Sequence, residues 1–194
     1  MDAEEKKRQS NIWLTLCRDW LLLVFLALVG FVWEQALMLV TTHELAESGF
    51  LSLPFCPIYG FTIFCFFYLF GTPHRGRYAL KRIKSAFWRY VVYAAIAFLL
   101  PSFIEFGVGV FFKEVFDVRL WDYSSHLLNI GGYVSLPISL GWTVALSLFM
   151  RFLFLPMRRF FQATPTKAAV VITIISASLM LADFTYNIIL LLVE

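Results

Sequence analysis

Charged residues are scarce in this 194-residue chain, where they make up 15% of the sequence. Ordinary soluble domains carry about 25% charged residues. Hydrophobic residues make up 60% and are grouped in long runs, which excludes one large soluble core as their explanation. Because those runs use nearly the whole chain, no separate soluble domain fits beside them. The sequence therefore predicts that residues 1–194 form a single integral membrane domain.

Cysteines and the common catalytic motifs are also few. The three cysteines form no CxxC pair and no Cys/His cluster, which argues against a structural zinc site and gives a poor case for a disulfide framework. No GxxxxGK[ST] phosphate-binding loop and no GxSxG nucleophile elbow occurs. The segment that begins at His43 lacks the second histidine of a zinc-protease helix. A metal site from His43, Glu44, Glu47, Asp122 and His126 is a minor alternative, and we predict no metal and no cofactor.

Five apolar runs are candidates for membrane spans, since about 20 helical residues cross a hydrocarbon layer of ~30 Å. The first run is too long for a signal peptide, contains Glu34 and lacks a small-residue cleavage site, so it is interpreted as a retained anchor. The fold class predicted is an all-α polytopic membrane helix bundle of about five spans. These spans are placed at about 20–40, 49–71, 88–112, 134–156 and 168–193.

The basic residues are distributed asymmetrically between the two sides of these spans. Of the 16 Lys and Arg residues, all but Lys113 and Arg119 precede the first span or lie in, or at the span ends bordering, the second-to-third and fourth-to-fifth connections. Positive residues are retained in the cytoplasm, so the N-terminus is predicted inside and the C-terminus outside, in a bacterial cytoplasmic membrane. This asymmetry explains the net charge of +3 without a nucleic-acid partner.

The connection from 73 to 89 carries six of these basic residues. The simplest interpretation is an orientation signal that lies against anionic lipid headgroups on the cytoplasmic side. A docking site for a cytoplasmic partner or a regulatory lipid is the alternative, and the residue pattern selects no particular partner.

Three acidic residues, Glu34, Glu105 and Asp183, fall within the apolar runs and past the midplane toward the outer face. An ionised side chain at the bilayer centre costs about 2.5–3.5 kcal/mol on insertion scales, so such residues usually face a bundle interior or a watery cavity. No Lys or Arg lies in the outer halves of the spans to neutralise them, since Arg89 and Arg151 fall near the cytoplasmic ends of their spans. The acids could be protonated, bind a cation or cationic substrate, or reach Lys113 or Arg119. Neutral hydrogen bonding between helices is a further alternative.

The second apolar run cannot be one uninterrupted helix. Pro54 and Pro57 lack amide donors and disfavour helix at the residue before each. The stretch from Ile58 to Gly71 gives only about 21 Å of helix, short of a full crossing. The preceding residues are therefore predicted to enter the membrane from outside as a loop, which is tolerated where it lines a cavity or is buried in protein. Broken segments often mark transporter binding sites, and a simple proline-kinked entry is the alternative.

The connection between 113 and 134 lies on the same predicted side as the broken segment and the three acids. Trp121 and Tyr123 suit the headgroup interface, where amphipathic rings are enriched. Asp122, Ser124 and Asn129 are good turn and capping residues. The convergence of these polar features on one side predicts that any functional site lies in the outer half of the membrane.

These same segments carry a family resemblance. The run GFLSLPFCPIYGF at 49–61, the run WDYS…NIGG at 121–132 and the upstream pair Trp33-Glu34 resemble the ABC-transporter type IV family, also called CmpB-like, over roughly 25–150. The resemblance implies a multi-pass membrane permease. The matching positions are Glu34, Pro54, Cys56, Pro57, Tyr59, Gly60, Glu105, Trp121, Asp122, Tyr123, Ser124, Asn129 and Gly132. The chain departs from the family pattern at Ser48, Leu53, Lys113 and Tyr133.

The leading hypothesis is a permease or transporter component with a polar carboxylate site in the outer half of the membrane. The predicted substrate- or ion-binding residues are Glu34, Glu105, Asp183, Asp122, Tyr59, Cys56, Tyr123 and Asn129. The predicted structural loop residues are Pro54, Pro57, Gly60, Trp121 and Gly132. One alternative is a membrane-embedded enzyme acting on a lipid or lipid-linked substrate, with Asp122 or Glu105 as acid or base. Another is a non-catalytic accessory subunit. Expected partners are the bilayer, anionic lipids and a membrane subunit or ATPase.

Overall fold

The computed structural model describes residues 3–42 and 51–193, and over these ranges the chain is mostly helical. Four helices are long and apolar enough to cross a membrane, and a fifth apolar helix is shorter. The prediction of a polytopic helical bundle is confirmed. The helices are α1 (Ala3–Thr42), α2 (Pro57–Phe70), α3 (Tyr78–Arg82), α4 (Ala86–Phe116), α5 (Leu136–Leu148), α6 (Phe154–Gln162) and α7 (Thr166–Val193).

The chain divides into two compact units. The first unit comprises residues 1–61 and 155–194, and the second comprises residues 62–154. The single membrane domain expected from the sequence stays a prediction.

In the first unit, α7 packs along α1. The 40 residues of α1 give about 60 Å of helix, twice the hydrocarbon thickness. The indole N–H of Trp20 donates to the Ser176 hydroxyl at 3.0 Å, and the Thr173 hydroxyl donates to the Cys17 carbonyl at 3.1 Å. Polar contacts of this kind hold helices together where lipid removes the hydrophobic drive for association.

The proline break in the second apolar run is confirmed. Residues 51–56 are irregular, and α2 begins at Pro57, where a missing amide costs nothing because first-turn amides have no intrahelical acceptor. The amide of Cys56 donates to the Ala27 carbonyl of α1 at 3.0 Å. A Cβ on Gly60 would meet the Leu23 carbonyl oxygen at 2.6 Å, so glycine lets the start of α2 approach the α1 backbone.

In the second unit, α5 packs on α4. The Ser85 hydroxyl caps the start of α4 by accepting from the Trp88 amide at 3.5 Å, and the helix ends at Asp117 in the left-handed conformation, with φ 56°. Pro101 lies inside α4, and the neighbouring Ser102 hydroxyl donates to the Ser139 hydroxyl of α5 at 2.8 Å.

A short antiparallel hairpin joins α4 to α5. Its strands are β1 (Asn129–Ile130) and β2 (Val134–Ser135). Gly131 and Gly132 have φ of 60° and 78°, which residues with a side chain rarely adopt. Gly132, which the sequence analysis named as a structural loop residue, lies in this turn.

The third long apolar helix, Leu136–Gln162, contains a π-helical segment, Phe149–Leu153, between α5 and α6. Such segments are rare, and they change the direction in which the following side chains point. Phe154, the first residue after it, is fully buried.

Candidate functional site

Glu34 is held by the start of α2. It lies close to the end of the apolar stretch Asn11–Ala36 of α1 and is half-buried. The Tyr59 hydroxyl donates to its Oε1 at 2.7 Å, and the buried Cys56 thiol is a second hydrogen-bonding neighbour. We call Glu34, Cys56 and Tyr59 the Glu34 cluster. The Glu34 carboxyl group therefore has two neighbours that can each donate a hydrogen bond to it.

The position of Tyr59 depends on a glycine one helical turn before Glu34. A Cβ on Gly30 would lie 2.3 Å from the Tyr59 ring, so the ring packs where any other residue would place a side chain. Gly30 and Glu34 are four residues apart on α1 and therefore lie on the same helix face. The Tyr59 ring packs against Gly30 on this face, and its hydroxyl reaches Glu34.

Asp183 of α7 is held by the broken segment. Its Oδ2 accepts from the Leu53 amide at 3.0 Å, and its Oδ1 accepts from the Asn187 side chain at 3.2 Å. The Asn187 amide also donates to the Ser52 hydroxyl at 3.1 Å. We call these four residues the Asp183 cluster. The Asp183 carboxyl group thereby accepts the hydrogen bond of the Leu53 amide, which a main-chain carbonyl would accept in a regular helix.

Glu105 of α4 is held by the connection between α4 and α5. The Tyr123 hydroxyl donates to its Oε1 at 3.1 Å, and both residues are half-buried. The Tyr123 amide donates to the Gly132 carbonyl at 2.8 Å, and its ring lies 5.2 Å from the His126 ring. We call Glu105 and Tyr123 the Glu105 cluster.

Asn129 and Trp121 shape the connection that carries Tyr123. The Asn129 side chain donates to the Ser124 and His126 carbonyls at 3.1 and 2.9 Å and accepts from the Gly132 amide at 3.1 Å. The Trp121 indole donates to the Tyr133 carbonyl at 2.8 Å. Asn129, expected to bind substrate, has its amide engaged within the loop.

Lys113 and Arg119 pair with acids of the same connection. Lys113 pairs with Asp117, and Arg119 lies 3.0 Å from Asp122. The Ser124 amide, 2.9 Å from Asp122, acts with Arg119 to hold the pKa of Asp122 below its usual range. A carboxyl group that is ionised near neutral pH is a poor general acid, so the lowered pKa disfavours the acid role of Asp122, and its role as a base stays a prediction.

A buried ionic cluster was missed by the sequence interpretation. Asp19, only 4% exposed, accepts from Arg158 Nε and Nη2 at 2.8 Å each and from Gln162 at 2.7 Å. Arg158 and Gln162 lie one turn apart on α6, and this i, i+4 spacing was the available signal. Asp19 was overlooked because it lies directly before the predicted start of the first span.

No metal is assigned. Across the parts of the chain that the structure describes, no three His, Cys, Asp or Glu side chains are grouped closely enough to hold one. His43, Glu44 and Glu47 of the alternative metal site lie outside the described residues.

The long apolar helices and the broken second segment define a polytopic helical membrane protein. The chain belongs to the family described as "Putative ABC-transporter type IV", whose family model matches residues 21–188. The resemblance carried by 25–150 is thereby confirmed, and the match continues into α7. Searches among curated proteins and among solved structures find no match.

Proposed function

We propose that the protein is a permease component that handles a proton or a small cation at Glu34 and Glu105. One observation carries the proposal. Each of these span carboxylates receives a hydrogen bond from a tyrosine hydroxyl, at 2.7 Å from Tyr59 and at 3.1 Å from Tyr123. The transporter family to which the chain belongs supports the same class of function.

A tyrosine hydroxyl suits a carboxyl group that changes its charge. It donates a hydrogen bond to the ionised carboxylate, and its oxygen can accept one from the protonated acid. The pair can therefore stay hydrogen-bonded when the carboxyl group gains or loses a proton. This supports a carboxyl group that exchanges a proton or a cation.

The broken segment would form the wall of the site in the first unit. Asp183 and Asn187 hold residues Ser52 and Leu53, while the Cys56 amide is bonded to α1. These contacts would keep Cys56 and Tyr59 at Glu34 while that carboxyl changes its protonation or its ligand. In this proposal Asp183 is a positioning residue.

The proposal includes the surroundings expected from the sequence. The N-terminus would be cytoplasmic and the C-terminus outside, as the distribution of basic residues favours in a bacterial cytoplasmic membrane. The basic connection would lie against anionic headgroups, each Lys or Arg near such a surface contributing about 1 kcal/mol. An ATPase or a second membrane subunit would be the partner.

Replacing Glu105 with Gln is expected to slow proton or cation flux at least about tenfold, because an amide can neither ionise nor release a proton in this range. The measurement is flux into proteoliposomes that enclose a pH-sensitive or cation-sensitive dye, under an imposed gradient. Glu34→Gln is expected to have the same effect.

Glu114→Gln is the matched control, since Glu114 is exposed on the same helix as Glu105. It should keep flux within about twofold of the original, as surface changes usually do. If a well-folded Glu105→Gln protein keeps full flux, Glu105 does not have the proposed role.

A further inference from the structure

The chain between α2 and α4 folds into a defined turn, residues 72–82, which we call the basic turn. A surface depression of about 580 Å³ is lined there by Arg75, Gly76, Arg77, Tyr78 and Lys81. Three of these five side chains are cationic. The depression is distinct from the three carboxylate clusters.

Backbone hydrogen bonds fix the shape of the basic turn. The Thr72 amide donates to the Arg75 carbonyl at 3.2 Å, and the Arg75 amide donates back to the Thr72 hydroxyl at 3.1 Å. The Arg77 amide donates to the Phe70 carbonyl at 2.8 Å. The cationic side chains therefore project from a preorganised backbone, which lowers the entropy lost on binding.

Buried side chains support the turn from beneath. Thr72, Pro73 and Leu80 are all nearly inaccessible, and the Arg89 guanidinium donates to the Pro73 carbonyl at 3.1 Å. A Cβ on Gly76 would meet the Leu80 Cβ at 2.7 Å, so glycine is required for this close packing. These contacts distinguish the basic turn from a mobile charged loop.

The positive charge of the depression is not neutralised locally. The sequence contains no Asp or Glu from 48 to 104. Over the described part of the chain, the ion pairs formed do not include Arg75, Arg77 or Lys81. The Arg77 guanidinium lies 4.7 Å from the centre of the Phe67 ring, a cation–π contact that anchors it to the end of α2.

The surrounding side chains suit the level of the membrane headgroups. The basic turn begins two residues after α2 ends and closes shortly before α4 starts, and both are apolar helices. Tyr78, Phe87 and Trp88 expose 75%, 68% and 59% of their surfaces beside it. Aromatic residues are enriched where a membrane meets water. Tyr78 also has φ 45°, a backbone strain of the kind found at ligand sites.

We propose that the basic turn binds the phosphate group of an anionic lipid headgroup, with Arg75, Arg77 and Lys81 as its cationic ligands. Guanidinium groups recognise phosphate oxygens through paired hydrogen bonds, and Lys adds a point charge. This inference makes specific the general contact with anionic lipid proposed above, on which it rests. It does not depend on the roles of Glu34 and Glu105.

The test uses the full chain in detergent, with native mass spectrometry of added phosphatidylglycerol. The double variant Arg75→Gln/Lys81→Gln is expected to weaken the one-to-one lipid complex about tenfold, since two charge-assisted contacts are lost. The matched control Arg82→Gln/Lys84→Gln removes the same charge from exposed positions outside the depression and is expected to change binding less than about twofold. Arg75→Lys/Lys81→Arg, which keeps both charges and one guanidinium, should bind clearly more tightly than the double Gln variant and shows that the turn tolerates substitution.

Equal losses in the two Gln variants would overturn the site and leave only diffuse attraction between the basic connection and anionic lipid. Equally tight binding of phosphatidylcholine would also overturn it, because that headgroup has no net charge. Displacement of phosphatidylglycerol by millimolar inorganic phosphate would support phosphate recognition and assign a soluble source, whereas no displacement supports a lipid. Glu105→Gln should leave lipid binding unchanged, so failure of the transport role and failure of this site are distinguishable.

Discussion

Replacing Asp19 with Asn is expected to lower the free energy of unfolding by about 3 kcal/mol, the low end of the cost of breaking a buried ion pair. Asp19 is 4% exposed and accepts three side-chain hydrogen bonds from Arg158 and Gln162. The uncharged amide of Asn would remove the negative charge that pairs with the Arg158 guanidinium and would offer one acceptor oxygen in place of two. The measurement is the midpoint of thermal unfolding in detergent, followed by circular dichroism.

Two further variants separate the ion pair from a general effect of charge. Arg159→Gln removes a cation from the exposed neighbour of Arg158 and should leave the midpoint nearly unchanged. The double variant Asp19→Leu/Arg158→Met should recover much of the loss, because the penalty comes from separating a partly buried charge from its counterion rather than from the absence of the pair. If Asp19→Asn and Arg159→Gln unfold at the same midpoint, the ionic cluster does not stabilise the first unit.

The two ends of α1 are held by different chemistry. Near its N-terminal half, Arg18 donates to the Thr164 carbonyl at 3.0 Å, and Gln162 donates to the Thr15 carbonyl at 3.2 Å, beside the ion pair of Asp19. At the other end, Glu34 is contacted by Tyr59 and Cys56, two weakly acidic donors with no formal positive charge. A guanidinium can only donate hydrogen bonds and carries a full positive charge, whereas a tyrosine hydroxyl is uncharged and can donate or accept.

The fold was largely predictable because membrane crossing imposes a simple length rule. About 20 apolar residues are needed for a helix, and backbone donors and acceptors must be satisfied internally. Pro54 and Pro57 disfavour helix at the residues before them, so the sequence predicted a helix from about Ile58, one residue after the observed start at Pro57.

The pairings were much less predictable. Asp19 and Arg158 are 139 positions apart, and no local pattern relates them. The bond between Tyr59 and Glu34 depends on the close approach that Gly30 permits, which is a property of the packed helices. The π-helical segment at Phe149–Leu153 has no composition that distinguishes it from ordinary helix. Such features arise from tertiary packing, which cannot be predicted from the hydropathy of the sequence.

The π-helical segment ends at an aromatic cluster inside the second unit. Phe154 is fully buried, and its ring centre lies 4.7 Å from that of Phe67 and 5.7 Å from that of Phe64. Phe149 lies 6.4 Å away on the same helix. Pairs at these distances add attraction beyond simple area burial. Phe67 also supports Arg77, so the cluster underlies the basic turn.

Replacing Phe154 with Ala is expected to lower the free energy of unfolding by about 2–3 kcal/mol, below the 3–5 kcal/mol typical of soluble cores. Part of the usual cost is the transfer of apolar surface out of water, and this part shrinks when the unfolded helix remains in lipid. The remaining cost is the cavity and the lost ring contacts. Phe103→Ala is the matched control, since Phe103 is 75% exposed on α4, and it should change the thermal midpoint little. Phe154→Leu should recover roughly half of the loss because it fills part of the cavity. Equal midpoints for the two Ala variants would mean that the cluster packs no better than a lipid-facing ring.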